Sequence, residues 1–320
     1  MIENLKKSYF SAKKGNGKLP CYEANENERD IFRLIEFDKI QIENCLLKYG
    51  GILLRGFDIR AVSEFSKLAN MFSTNLFDYV NRSTPRTRLG GKIYTATEYP
   101  SDKYIPFHNE NSYTLEWPNK LMFFSVVVAD EGGETAIADS RHVYSKIDLD
   151  IINKFNENKV LYSRNYYEGI DLSWQEVFQT KEKTEVEKYC KEHFISCEWG
   201  AGNLELTTKQ ICQATLKHPI TGENVWFNQA HLFHISSLKE YDRQELINLL
   251  GSGALPRNAY YGDGSEIEDN SLNVIRQAYE QERIEFIWQK GDVMILDNRL
   301  MAHSRNPFKG NRKVVVAMGD

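Results

Sequence analysis

Residues 107–118 read FHNENSYTLEWP and set His108 and Glu110 two positions apart. Side chains at i and i+2 share a face of an extended strand, whereas on a helix they diverge by more than a right angle. If this stretch is extended, the imidazole and the carboxylate form a clamp aimed at one point. Two ligands do not make a catalytic metal site, so a third must come from elsewhere. Among seven histidines, His303 stands out: it follows the apolar run GDVMILDN in a polar loop, RLMAHSRNPFKGN, that also carries Arg305. A histidine at the edge of a buried strand is where a β-barrel aims a side chain into its mouth.

His108, Glu110 and His303 together would be two histidines and one carboxylate. That facial set suits a non-haem Fe(II) oxygenase and leaves coordination positions open. Zinc hydrolysis also fits the donor types, although the H-E-x-x-H spacing of the zincins is absent. Alone, H-x-E is a weak signal, more often two solvated surface residues. His231 and His234, in NQAHLFH, flank Leu232 and Phe233 and read as hydrogen-bonded, partly buried histidines. His142, His193 and His218 receive no role.

The elements that must position these residues are mostly strands. Residues 50–59 (GGILLRGFDI) form a short apolar run bounded by glycine, a buried strand. Residues 63–72 (SEFSKLANMF) place Phe65, Leu68 and Phe72 at helical spacing, with Ser63 as the expected N-cap. KLMFFSVVVAD (residues 120–130), GDVMILDN and RKVVVAMG read as strands, ENVWFNQAHLFH as a strand entering a loop. Residues 266–289 begin as helix and turn to strand near Ile284. Residues 148–192 are polar and mostly helical, an expected insertion beside the β core. The expectation is a mostly β fold with helical decoration in one domain, residues 1–320. Residues 1–90 would support a core at 91–320, with a helical insertion at about 148–205. No regular βαβ alternation and no G-x-G-x-x-G after a strand supports a doubly wound sheet.

Composition narrows the class. The chain has 320 residues, 41% hydrophobic and 27% charged, with a net charge of −5 and no basic block. Nothing points to nucleic acid or an anionic membrane. No apolar run approaches the roughly 20 residues of a membrane span, and the opening MIENLKKSYFSAKKGNGKLP lacks the apolar core of a signal peptide. Five scattered cysteines without C-x-x-C are expected to be reduced thiols in a cytoplasmic protein.

Larger motifs then add to the spacing. The run TEYPSDKYIPFHNENSYTLEWPNKLMFFSVVVADEGGETAIADSRHVY resembles the TauD/TfdA (taurine dioxygenase-like) family of Fe(II)/2-oxoglutarate oxygenases, as do NVWFNQAHLFH, YYGDGSEIED and the C-terminal GDVMILDN to AMG, in the same order. The likeness is greatest to the clavaminate synthase-like and syringomycin aspartate-hydroxylase-like branches. It runs from about residue 51 to the C-terminus and is poor over 148–205. The resemblance implies a double-stranded β-helix (jelly roll), with Fe(II) on His108, Glu110 and His303. It implies 2-oxoglutarate on Thr135 of the G-G-x-T motif and on Arg312, with Arg305 as second choice, since a guanidinium grips a carboxylate bidentately.

On that resemblance, 2-oxoglutarate and O₂ would oxidise an unactivated C–H bond of an amino-acid-like small molecule, free or tethered to a carrier protein. Hydroxylation is expected, with desaturation or cyclisation as the alternative on the same iron site, and a non-catalytic jelly-roll binding protein behind both. The presence of Glu110 argues against halogenation. Asn109, Asn111, Tyr113 and Asn228 are the candidate pocket residues. Asn111 and Asn228 could equally anchor loop backbone, and Trp117 reads as packing. The oligomeric state is not legible.

Overall fold

The computed structural model describes residues 1–78, 86–96, 99–202 and 204–320. Thr97 and Glu98, which open the first motif quoted above, lie outside the described residues. The chain begins with β1 (Lys6–Ser11), β2 (Lys18–Glu23), α1 (Ile31–Tyr49), β3 (Gly51–Arg55) and α2 (Val62–Phe72). There follow β4 (Arg88–Gly90), β5 (Ile93–Thr95), β6 (Ile105–His108), β7 (Lys120–Val127), β8 (Glu131–Gly132) and β9 (Ile137–Asp139). The middle of the chain holds α3 (Ser140–Lys146), α4 (Leu149–Asn158), β10 (Val160–Tyr167), α5 (Trp174–Phe178), α6 (Lys183–Glu192), β11 (Ser196–Trp199) and β12 (Leu204–Cys212). Next come β13 (Thr215–Lys217), β14 (Asn224–Trp226), α7 (Ala230–Phe233), α8 (Glu240–Leu250), β15 (Arg257–Tyr261) and α9 (Asp269–Gln281). The last strands are β16 (Val293–Asp297), β17 (Met301–Arg305), β18 (Phe308–Lys309) and β19 (Lys313–Gly319).

An eight-stranded sheet in the order β1-β2-β3-β16-β7-β19-β5-β4 carries the strands with the most continuous apolar sequence. Those strands are buried on both faces, which is why they read as unbroken runs. Along β16, Val293 and Ile295 face α1 and α2, with Ile31, Leu34, Ile42, Phe65 and Leu68 beneath them. Met294 and Leu296 face the other way, with Leu53, Phe123 and Val316, toward Ile137 of β9 and Met301 of β17. The alternation is the strand period of two. A three-stranded sheet, β6-β17-β9, therefore lies over the large one. Its outer face packs Phe107, Ala138 and Ala302 on Val143, Phe155, Phe233, Ile275 and Tyr279. A four-stranded sheet, β11-β12-β10-β15, adjoins this outer layer.

Several expectations are corrected here. His303 lies in a strand, not in a polar loop: all five residues of β17 are buried. MAHSR has no apolar pattern, and its pairing with both β6 and β9 makes it a strand. Residues 148–205 are not simply a helical insertion, because β10 is an inner strand of the four-stranded sheet, paired with β12 and β15. Helix α2 is not capped by Ser63, which lies inside it; Glu64 reaches back to accept from the amides of Arg60 and Ala61 at 2.7 and 3.0 Å. Near Ile284 there is a single bridge to Ile137 rather than a strand. The loop after Trp226 closes into the short helix α7. Among the described residues no helix is long and apolar enough to cross a membrane, and all five cysteines are free.

Candidate active site

His108 ends β6 and His303 sits in the middle of β17, and the two are Cα partners across the antiparallel pair. Directly opposed residues project to one face, and the rings lie 4.2 Å apart between centroids. Glu110 reaches the same place by another route. The strand stops at His108, and a turn follows in which Ser112 donates from its amide and its hydroxyl to the Asn109 carbonyl. Asn298, just beyond β16, pins that turn. Its Oδ1 accepts from the Glu110 amide at 2.8 Å, and its Nδ2 donates to the carbonyls of Glu110 and Pro118 at 3.0 and 2.8 Å. The two side chains do converge, but through this pinned turn rather than through strand alternation.

One ligand atom from each of His108, Glu110 and His303 lies within 4.8 Å of the others, and all three residues are buried or nearly so. His303 Nε2 is 3.7 Å from Glu110 Oε2. The Pro106 carbonyl, 2.8 Å from His108 Nδ1, can only accept, so the proton sits on Nδ1 and Nε2 keeps its lone pair. Burial pushes both imidazoles below their ordinary range, with Arg86 adding to the effect at each and Glu110 opposing it at His108. Neutral imidazole is the metal-ligating form. The donor set therefore fits a divalent transition ion. Arg86 donates from Nη2 to Glu110 Oε2 at 2.8 Å, with both side chains almost fully buried.

Beside the triad, a narrow pocket is lined by Arg86, His108, His303, Thr135, Arg305 and Arg312 among others. Gly132 and Gly133 both have positive φ, and a Cβ on Gly133 would stand 2.8 Å from Arg312 Cδ. The glycine pair of the G-G-x-T motif thus lets Arg312 lie against the backbone, where its Nε donates to the Gly133 carbonyl at 2.8 Å. Burial lowers the Arg312 pKa to about 10, and among the described residues its hydrogen bonds go to a carbonyl and a hydroxyl, with no carboxylate in an ion pair with it. A half-buried guanidinium without an ionic partner is only partly compensated by neutral acceptors, and a carboxylate ligand would relieve it. Arg305 differs: it spends Nη1 and Nη2 on the carbonyls of Tyr99, Pro100 and Lys103.

The four candidate substrate residues separate. Asn109 is fully buried and donates to the Asn298 carbonyl at 2.7 Å. Asn228 is equally buried, donating to the Ala214 carbonyl and accepting from the Ala230 amide. Both bond to backbone, which for Asn228 is the anchoring alternative. Tyr113 packs against Phe233 and Tyr162 in the core. Asn111 alone opens on a cavity of about 350 Å³, shared with Phe77, Asp78, Glu116, Tyr189 and His193. Trp117 packs edge-on against Phe227. His231 is hydrogen-bonded to the Phe107 carbonyl, His234 to Ser236 and His218 to Asp297, and none of them belongs to the triad's ligand set. Sequence reasoning missed Arg86, Asn298 and Trp288, none of which sits in a spacing that distinguishes it.

Comparison with known proteins decides the family. Residues 18–318 match the family described as taurine catabolism dioxygenase TauD, TfdA family. The chain belongs to the TauD/TfdA family. It is accordingly an enzyme of the Fe(II)- and 2-oxoglutarate-dependent dioxygenase class. Among TauD/TfdA-related proteins, the dapdiamide synthesis protein DdaC of Enterobacter agglomerans is 43% identical over 284 residues, 89% of this chain and 86% of that protein. A clavaminate synthase-like protein of Arabidopsis thaliana is 29% identical over 89% of this chain and 86% of its own. Among solved structures, PvcB of Pseudomonas aeruginosa, an Fe, alpha-ketoglutarate dependent oxygenase from an isonitrile synthetic pathway, aligns with a TM-score of 0.58 at 12% identity, over 98% of this chain and 90% of that one. A taurine dioxygenase from Burkholderia xenovorans aligns with a TM-score of 0.54 at 14% identity, with the same coverage of 98% and 90%. These likenesses establish the TauD-like fold.

Proposed function

We propose that the protein is an Fe(II)- and 2-oxoglutarate-dependent hydroxylase of an amino-acid-like small molecule, acting in natural-product biosynthesis. His108 through Nε2, Glu110 through its carboxylate and His303 through Nε2 would hold the iron. Arg312 and Thr135 would take the distal carboxylate of 2-oxoglutarate, with Arg305 tying down the neighbouring loop. We read the large sheet and the small sheet over it as the two halves of a jelly roll, within one domain spanning residues 1–320. Five free thiols agree with a cytoplasmic setting.

One observation carries the reading: a half-buried guanidinium with no carboxylate partner among the described residues shares a pocket with a threonine hydroxyl and the two histidines. When bound, iron, 2-oxoglutarate and O₂ supply oxidative decarboxylation coupled to oxidation of an unactivated C–H bond. The chain's part is to orient and to shield. Asn298 holds the Glu110 backbone, the Pro106 carbonyl fixes the His108 tautomer, and Arg86 holds the Glu110 carboxylate. The cavity beside Asn111 has the size of small-molecule sites, which span about 300–1,000 Å³. Kinship with DdaC, a protein of dapdiamide synthesis, supports a natural-product role; the amino-acid-like substrate, free or carrier-borne, is part of the proposal.

The test is an anaerobic visible spectrum of metal-free protein receiving Fe(II), then 2-oxoglutarate. A weak charge-transfer band that requires both is the expected result. Bound iron without the band would remove 2-oxoglutarate as cosubstrate, and absence of bound iron would remove the metal assignment.

A further inference from the structure

Thr135 Oγ1 stands between two donors. The indole Nε1–H of Trp288 donates to it across 3.1 Å, and Arg312 Nη2 donates across 3.2 Å. A hydroxyl offers one proton and two lone pairs. With both lone pairs engaged, the proton is its remaining hydrogen-bonding capacity, and it cannot be directed at either neighbour. Indole and guanidinium are donors only, so the polarity of this arrangement cannot invert. Thr135 lines the pocket that holds His108, His303 and Arg312, whereas Trp288 packs behind it against Phe286, with ring centroids 4.8 Å apart. Thr135 and Trp288 are each only 4% exposed.

We propose that Trp288 is a positioning residue that, together with Arg312, turns the Thr135 hydroxyl proton into the pocket and makes this threonine an obligate donor to a carboxylate oxygen of 2-oxoglutarate. The inference rests on the cosubstrate reading above. Without the indole N–H, one lone pair is released and the hydroxyl is free to rotate. It can then present either a proton or a lone pair to the pocket, and a lone pair repels a carboxylate. Trp288 therefore contributes to cosubstrate affinity without touching the cosubstrate.

The test uses Mn(II)-loaded full-length protein and N-oxalylglycine, an unreactive dicarboxylate, with affinities read by calorimetry. Thr135→Val should weaken N-oxalylglycine by about 10–100-fold, the range of a hydrogen bond to a charged group. Trp288→Phe keeps the ring and removes the N–H, and should weaken it by about 3–10-fold, the worth of a modest hydrogen bond. Mn(II) affinity should be unchanged in both, and Thr135→Ser should bind like the parent. In the Thr135→Val background, Trp288→Phe should have no further effect, since coupling vanishes when the intermediary is gone. An unchanged affinity in Trp288→Phe, or the same loss with and without the threonine hydroxyl, would overturn the proposal while leaving the cosubstrate reading intact. A Thr135→Val protein that binds N-oxalylglycine normally would overturn the proposal, whereas a parent protein that does not bind it would overturn the cosubstrate reading. Should Trp288→Phe fail to fold, NMR of the parent decides. The indole N–H resonance displaced by Thr135→Val must also move when N-oxalylglycine binds, and a resonance that stays in place refutes the relay.

Discussion

Two arginines of the same pocket have different work. Arg312 has its Nε on the Gly133 carbonyl and its Nη2 on Thr135, with no carboxylate partner among the described residues. Arg305 spends its guanidinium on three backbone carbonyls. Arg312→Met is expected to weaken N-oxalylglycine by about 10–100-fold at unchanged Mn(II) affinity, in calorimetric titration. Arg305→Met should leave that affinity near the parent value but lower stability by about 1–3 kcal/mol in urea unfolding, because three backbone carbonyls lose a charged donor. Arg86→Met leaves the Glu110 carboxylate buried without the arginine that pairs with it, and a loss of about 3–5 kcal/mol is expected in the same assay. His303→Ala should abolish stoichiometric Mn(II) binding. The types of His108, Glu110 and His303 were legible because metal chemistry restricts which residues can serve. Arg86 and Trp288 were not: an arginine in RSTPRTRLG and a tryptophan in EFIWQ take their roles from partners distant along the chain.

At the scale of elements, legibility followed burial pattern. β3, β7, β16 and β19 lie in the large sheet and their apolar runs announce it. β17 is just as buried but is built from Met, Ala, His, Ser and Arg, so only its two partners reveal it. β10 was lost among polar helices for a similar reason: its Ser163, Arg164 and Asn165 are buried polar residues. A second element-level feature ties the N-terminal loop to α3 and α9. Glu282, buried after α9, accepts from the amides of Asn16 and Gly17 and lies 3.5 Å from His142 Nδ1 and 3.4 Å from Lys146 Nζ. Glu282 raises the His142 pKa, with Asp139 assisting, against burial and Arg141. A raised folded-state value stabilises the fold below the unfolded histidine pKa, and the benefit is lost as pH rises through the folded value. His142→Gln should therefore cost more stability at about pH 6 than at about pH 9, compared by urea unfolding against the parent. An equal cost at both would show that His142 acts by packing alone.

The whole molecule is layered: helices α1 and α2, the large sheet, the small sheet, then helices with the four-stranded sheet. The β-rich class was readable from the sequence, as was the end-to-end order of the motifs. The sharing of ligands between layers was not, since it depends on the turn that Asn298 pins. Ligands that bind only the folded state should raise its stability by mass action, by about 2.7 kcal/mol at a hundredfold excess over Kd. Thermal unfolding with Mn(II) and N-oxalylglycine should show this rise, and the His303→Ala protein should not. One arrangement reaches further. His108 and His303 hang from the three-stranded sheet, while Glu110 is fastened through Asn298 to the end of β16 in the eight-stranded sheet. An ion held by all three would work as a rivet between two plates, and its spectrum as a strain gauge for the gap. Trimming a methyl group from Met294 or Leu296, inside that gap and outside the ligand set, should then shift the charge-transfer band of the iron complex, so that packing in the core can be read as a change of colour.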